Sequence, residues 1–246
     1  SLADEKINIG SGSVSNTYLS IKKIIDAAKK TKSDIIHPGY GFLSENANFA
    51  KKCLSENLLF IGPDFETIKI MGNKKIAKNI ALRAGVPCLP DFKISPSTEF
   101  STVIENANKI GFPIMIKATK GGGGKGMRLV KKKDKFKDYL NLAKSESFSS
   151  FGSDEIIIEK AVSNCRHIEV QIFGDNFGNI IHLGERDCSI QRRHQKIIEE
   201  APAFGIKDNI RNQLANNAVK LAKEINYKGA GTVEFLLDEN YNFFFL

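Results

Sequence analysis

Four consecutive glycines, Gly121, Gly122, Gly123 and Gly124, lie between two short apolar segments and are bracketed by Lys120 and Lys125. Glycine loses more backbone freedom on folding than any other residue, and a simple turn needs fewer of them. Pro113-Ile114-Met115-Ile116-Lys117-Ala118 before the run and Met127 to Val130 after it both read as strands, so the chain closes a loop between two strands here. Gly121, Gly123 and Gly126 formally match GxGxxG, but a dinucleotide loop opens a helix and this one opens a strand. It is not a Walker A loop either, because Met127 stands where the lysine belongs. What remains is a glycine hairpin able to close over a triphosphate with its bare N–H groups, or a plain flexible connector.

The segments around this loop divide the chain. Ile21, Ile24, Ile25 and Ala28 recur at helical spacing, Ile35-Ile36 is a short buried strand, Ser44 is placed to cap a second helix, and Leu58 to Ile61 is a second buried strand. This alternation predicts an α/β layer with parallel strands. Asn73 begins another helix, and 91–99 reads as a linker. The glycine loop then belongs to a small α+β unit that includes a helix through Phe136, Tyr139, Leu140 and Ala143 and a strand over Glu155 to Glu159. In the last third, His167 to Ile172 alternates polar and apolar, giving a sheet with one wet face. A long helix runs from Ile210 to Ile225, with Asp208 placed to cap it and Gly229 to end it, and strands follow at Thr232 to Leu237 and Phe243 to Leu246.

Several charged residues sit where a charge is costly without a partner. Lys74 lies in the first turn of a helix, where the dipole opposes a cation unless an anion is bound there. Lys117 ends an otherwise apolar strand. Glu185 to Lys196 carries Arg186, Arg192, Arg193, His194 and Lys196 with no strand or helix periodicity, and Glu199 and Glu200 follow as counter-charges. Arginine and lysine there suit phosphate oxygens or a small planar anion, and a surface loop with ion pairs is the alternative. His167 shares the polar face of its strand with Glu169 and Gln171. Glu234 is the only charge in Thr232-Val233-Glu234-Phe235-Leu236, which marks it as a metal carboxylate or a paired one.

Composition narrows the classes. With 36 basic and 28 acidic residues the chain carries a charge of +8, which fits sites for small anions; no nucleic-acid-binding motif accompanies it. The densest basic run, Lys131-Lys132-Lys133, reads as a solvated turn. No apolar run approaches the ~20 residues of a membrane span. The four cysteines form neither a CxxC pair nor a zinc spacing and suit a reducing compartment.

Taken together, His37-Pro38-Gly39-Tyr40-Gly41-Phe42-Leu43-Ser44-Glu45-Asn46, Lys117 to Arg128, Glu185 to Lys196 running into Glu199-Glu200-Ala201-Pro202, and Gly229 to Phe235 resemble biotin carboxylase over the whole chain. The resemblance implies α/β and α+β architecture in an ATP-grasp fold. Its parts would be a partial Rossmann-like N-terminal domain (1–72), a lid region with the glycine loop (73–162) and a C-terminal ATP-grasp domain, cut short (163–246). It implies ATP- and bicarbonate-dependent carboxylation of biotin through carboxyphosphate. Lys74, Lys117, Gly123, Gly124 and His167 would contact ATP, with 159–162 (Glu159, Lys160, Ala161 and Val162) receiving the adenine. His194 would contact phosphate, Lys196 bicarbonate, and Glu234 Mg2+ or Mn2+; Tyr40 and Gly41 would lie near biotin. The expected catalytic residues are Lys196 and His194.

The biotin would be carried on another domain or subunit, since no Ala-Met-Lys-Met occurs, and a carboxyltransferase subunit or domain would complete the enzyme. The parent would be a homodimer or part of a larger complex, without nucleic acid or membrane, in the cytoplasm or, in a eukaryote, the mitochondrial matrix. Lys120 and Asn226-Tyr227-Lys228-Gly229 are most similar to acyl-CoA carboxylases of the methylcrotonoyl type, with the propionyl-CoA, acetyl-CoA and pyruvate types and another ATP-grasp ligase, such as a carbamoyl-phosphate synthase half, as alternatives. The chain reads as a fragment lacking the Glu-x-Asn-x-Arg segment of that family, and as inactive alone. In the full-length enzyme, replacing Gly123 and Gly124 by alanine is expected to slow turnover more than it lowers the melting temperature, measured on the same preparation. Intact turnover with a large loss of stability would make the loop a structural turn.

Overall fold

The structure is a computed structural model that describes residues 2–119, 127–192 and 195–246. Gly123, Gly124 and His194 fall outside the described residues, so the nucleotide contacts expected of them do too.

The N-terminal part comprises α1 (Ile21–Lys30), β1 (Ile35–Ile36), α2 (Ala47–Ser55), β2 (Leu59–Phe60) and α3 (Phe65–Met71), with β1 and β2 parallel as the alternation predicts. Its core is Ile25, Ala28, Leu43, Phe49, Cys53 and Leu58. The two strands are less buried than expected: Ile35 is 52% and Leu59 58% exposed, because a two-stranded ladder packed on one side leaves its other face open. Asn46, not Ser44, caps α2, its side chain accepting from the Phe49 N–H at 3.0 Å. Ser44 lies two residues before the cap, its N–H donating to the Gly41 carbonyl at 2.9 Å.

Next come α4 (Lys74–Arg83), β3 (Asp91–Ile94), α5 (Phe100–Ile110), β4 (Ile114–Ala118), β5 (Arg128–Val130), α6 (Phe136–Phe151) and β6 (Ile156–Lys160). The strands form an antiparallel sheet in the order β3-β6-β4-β5. The expected linker over 91–99 is therefore partly a strand: its Ser, Thr and Pro fall in 95–99, while Phe92 and Ile94 pair with Ile158 and Ile156. α5 and α6 cover this sheet through Val103, Ala107, Phe136, Leu140 and Ala143.

The last part comprises β7 (Arg166–Gly174), β8 (Ile180–Arg192), β9 (Gln195–Glu200), α7 (Asp208–Glu224), β10 (Gly229–Leu237) and β11 (Phe243–Phe245). They build an antiparallel sheet in the order β11-β10-β7-β8-β9. Ile168, Val170, Ile172, Val233 and Phe235 alternate onto one face and meet Leu214, Ala218 and Leu221 of α7. Ile80, Ala81 and Val86, from α4 and its C-terminal turn, join this core and not that of the smaller sheet. Lys207 occupies the N-cap of α7 without a side-chain bond, so Asp208 is a first-turn acid and not the cap. The helix ends at Ile225, and Gly229 (φ 81°) instead starts β10. Phe243 is buried with its ring edge-on to Phe235 at 5.7 Å, and the Phe245 N–H donates to the Pro87 carbonyl at 2.8 Å, so both edges of β11 have partners.

The described residues of the long segment without periodicity, 185–192 and 195–196, are strand. Its pairing with β9 slips between Asp187 and Ile190 and again before Gln191, and that with β7 slips between Val170 and Ile172. Each slip moves side chains between faces, which erases a period-2 pattern without ending the strand. Where β7 ends, a Cβ on Gly174 would run into the Tyr227 backbone carbonyl. Gly174→Ala is therefore expected to cost about 2–3 kcal/mol in urea unfolding, as overpacking against a backbone atom does; an unchanged midpoint would show that the β7 and α7 ends yield freely.

Candidate functional site

The polar face of the larger sheet carries the site. In the register of β7 and β10, His167 faces Leu236, Glu169 faces Glu234 and Gln171 faces Thr232. Glu169 and Glu234 are thus directly opposed carboxylates on one face, an arrangement that repels unless cations intervene. Two do. Lys196 of β9 reaches across β8, and its ammonium donates to both Glu169 and Glu234. Arg186 of β8, opposite Glu169 in register, donates to the other Glu169 oxygen. Gln171 fixes Arg186: its side-chain oxygen accepts from Nη1 at 3.0 Å while its nitrogen donates to the Gly231 carbonyl at 2.8 Å. Glu199, expected as a counter-charge, lies 3.7 Å from Arg186.

These pairings set the ionisation. Glu234 is held down to about 2 by the His167 imidazole and by Lys196, against the loss of water that would raise it. The imidazole Nε2 stands 3.6 Å from Glu234 Oε1, beyond hydrogen-bond length, while Lys196 is at 2.5 Å; the ammonium is the stronger partner. Glu169 is also held below the usual carboxylate range: burial opposes ionisation, and Lys196 and Arg186 overcome it. Lys196 is pushed above the ordinary lysine value, desolvation being outweighed by the two carboxylates.

His167 completes this face. Its Nδ1 lies 2.7 Å from the Gln191 side-chain nitrogen, and its buried Nε2 has no hydrogen-bond partner among the described residues. Among the described residues, Glu169, Cys188 and Glu199 bring three possible metal donors together, but the Cys188 thiol is pushed up to about 12, chiefly by burial, and Glu169 is already doubly paired. Glu234, by contrast, is ionised and its side chain is 35% exposed.

A second cluster lies on the smaller sheet. Lys117 of β4 finds the partner its strand demanded in Glu159 of β6, which also accepts from Lys78 of α4 at 2.8 Å; Lys78 reaches Asp91 at 3.2 Å. Glu159 stays ionised below its ordinary value, burial being overcome by Lys117 and Lys78. Lys74 begins α4, whose cap is Asn73 accepting from the Lys75 and Ile76 N–H groups at 3.1 and 3.2 Å. Although the residue as a whole is exposed, its ammonium is pushed below the ordinary value, first by loss of water and then by the like charge of Lys117. Lys74, Lys117 and Glu159 are therefore electrostatic neighbours.

Lys160 turns away from this cluster and donates to the Gly111 and Phe112 carbonyls at 3.0 and 3.1 Å. The N–H groups of Lys160 and Ala161 go to Pro90 and Pro113, while Val162 follows at the end of the strand. Tyr40, 94% exposed, joins neither cluster. Sequence reasoning singled out neither Lys78, hidden in an ordinary helix pattern, nor Gln191, whose partner is 24 residues away.

Two family models cover nearly the whole chain. Residues 1–68 match biotin carboxylase, N-terminal domain, and residues 73–246 match carbamoyl-phosphate synthase L chain, ATP binding domain. The chain belongs to the biotin carboxylase family of ATP-grasp domains. It is 49% identical over 245 residues to methylcrotonoyl-CoA carboxylase subunit alpha, mitochondrial, of Rattus norvegicus, covering all of this chain and 34% of that one. It is 50% identical over 245 residues to the biotin carboxylase of Nostoc sp., again over all of this chain and 55% of the relative. A solved biotin carboxylase domain of Hydrogenobacter thermophilus 2-oxoglutarate carboxylase, in complex with MgADP, ADP and bicarbonate, superposes with a TM-score of 0.90 at 41% identity, over 99% of this chain and 53% of that one. The chain thus spans between a third and just over half of these relatives' lengths. Among the described residues, no helix is long and apolar enough to cross a membrane.

The ionisation of Glu234 makes a pH prediction. A carboxylate held at about 2 in the folded state, against an ordinary value of 4.5, binds fewer protons folded than unfolded. Its contribution is full above the ordinary value and is lost as pH falls towards the folded one. Melting curves taken between neutral pH and pH about 3 should show a steeper acid loss in the unaltered chain than in Glu234→Gln. Parallel acid profiles would show that Glu234 is unpaired in solution.

Proposed function

We propose that this chain is the nucleotide- and bicarbonate-handling part of a biotin carboxylase: ATP activates bicarbonate to carboxyphosphate, and biotin, presented on another domain or subunit, is carboxylated. The observation that carries the reading is the sheet face on which Lys196, Glu234 and His167 come together from β9, β10 and β7 in a chain of this family. The Hydrogenobacter relative, solved with MgADP and bicarbonate, supports the same ligands here.

The residues take distinct parts. Lys74 and Lys117 supply cations towards phosphate oxygens, with Glu159 holding Lys117 in place. The Lys160 ammonium and N–H and the Ala161 N–H are already spent, so this stretch offers the nucleotide backbone carbonyls at Lys160 and Ala161, together with Val162. Gly123, Gly124 and His194 join as nucleotide contacts on the strength of the family pattern. His167 offers an unspent ring nitrogen. Glu234 is the Mg2+ or Mn2+ ligand: it is ionised at about 2 and partly open to solvent, which a hard cation requires. A divalent ion held there would supply positive charge against the transferred phosphoryl group. Lys196 supplies the cation for the bicarbonate anion.

The acyl acceptor is chosen elsewhere. Identities of 49% to a methylcrotonoyl-CoA carboxylase subunit and 50% to a free-standing biotin carboxylase do not separate them. We favour the methylcrotonoyl type on Lys120 and 226–229, working with a carboxyltransferase partner in the cytoplasm or mitochondrial matrix.

In the full-length enzyme, Lys196→Ala is expected to keep MgATP affinity within about twofold while bicarbonate-dependent ADP release falls about a hundredfold, the scale of one lost charge at a reacting centre. An equal loss of nucleotide affinity would move Lys196 out of the bicarbonate pocket.

A further inference from the structure

The Gln191 amide nitrogen makes two contacts, 2.8 Å to the Cys188 backbone carbonyl and 2.7 Å to His167 Nδ1. The first decides the orientation of the amide. A backbone carbonyl only accepts, and turning the amide over would set two carbonyl oxygens against each other. The nitrogen therefore faces Cys188 and His167 with its two hydrogens, one for each. Nδ1 of His167 must then present a lone pair, and the ring proton sits on Nε2. That Nε2 is buried and has no hydrogen-bond partner among the described residues, and Glu234 Oε1, 3.6 Å away, is already bonded to Lys196. A buried donor left unspent in an otherwise satisfied cluster calls for an explanation.

We infer that Gln191 is a positioning residue that fixes the His167 ring in its Nε2–H tautomer, so that a preset donor awaits an anionic oxygen beside Glu234. The backbone supports this. Gln191 follows a slip in the β8–β9 pairing, and without the slip its side chain would fall on the other face of the sheet. The His167 backbone is held as well, its N–H donating to the Ser189 hydroxyl at 2.9 Å. Ring and amide are thus both anchored to the 188–191 segment, and the tautomer follows from β8. That the awaited oxygen belongs to a nucleotide phosphate rests on the function proposed above; the tautomer itself does not.

Long-range 1H–15N spectra of the 15N-labelled chain read the tautomer directly. The chain has four histidines, and His167→Gln identifies the His167 signals by their loss. We expect an unprotonated Nδ1 and a protonated Nε2. A protonated Nδ1 in the unaltered chain overturns the inference without any variant at Gln191. Gln191→Glu, whose carboxylate only accepts, should move the proton to Nδ1; an unchanged ring pattern also overturns it. ATP titrated without metal is then compared across Gln191→Met, His167→Gln and the double variant. Gln191→Met should weaken ATP binding about tenfold, as loss of an orienting partner does, and should cost nothing further in the His167→Gln background. A further loss there would mean that Gln191 acts on the nucleotide itself, against the inference. If ATP fails to bind the unaltered chain, the nucleotide reading falls, while the spectra still decide the tautomer.

Discussion

Two carboxylates that should repel, Glu169 and Glu234, are locked opposite each other by strand register, and the polar face of the larger sheet is organised around neutralising them. Lys196 bridges both, Arg186 takes the remaining side of Glu169, and Gln171 holds Arg186 to the Gly231 carbonyl. Register alone places the acids, since a one-residue slip of β10 would send Glu234 into the core beneath α7. The apolar face enforces that register: Val233 and Phe235 must meet Leu214, Ala218 and Leu221. Core packing and site chemistry are therefore two sides of one alternation.

The smaller sheet repeats the scheme. Glu159 is an acid between two cations, Lys117 and Lys78, and Lys74 stands nearby with its charge disfavoured. In both clusters a buried carboxylate holds ammonium groups in place through ion pairs. A ligand that exchanged these internal pairs would have to bring both signs of charge, or strand a buried one.

Much of this was legible in the sequence, and the exceptions have physical causes. Strict alternation over 167–172 placed His167, Glu169 and Gln171 on one wet face, and the apolar neighbours of Glu234 marked it as paired or metal-bound. The segment 185–196 read as irregular because two bulges break its period while the strand continues. The cap of α2 was assigned to Ser44 because serine and asparagine are both good caps, and only the backbone geometry selects Asn46. Asp91 to Ile94 looked like linker because an edge strand of four residues carries too little pattern to stand out.

The sequence by itself determined the chemical inventory and the local grammar: which strands alternate, where helices begin, which charges sit among apolar neighbours, and the family to which the combination belongs. Those depend on spacing along the chain. Tertiary contacts alone set the partners: that Lys196 reaches Glu169 and Glu234, that Lys117 meets Glu159, that Lys160 is spent on a turn, and that Gln191 meets the His167 ring. Each of those contacts joins residues 24 or more positions apart. Their meeting is set by sheet order, bulges and core packing, none of which has a signature at the residues concerned.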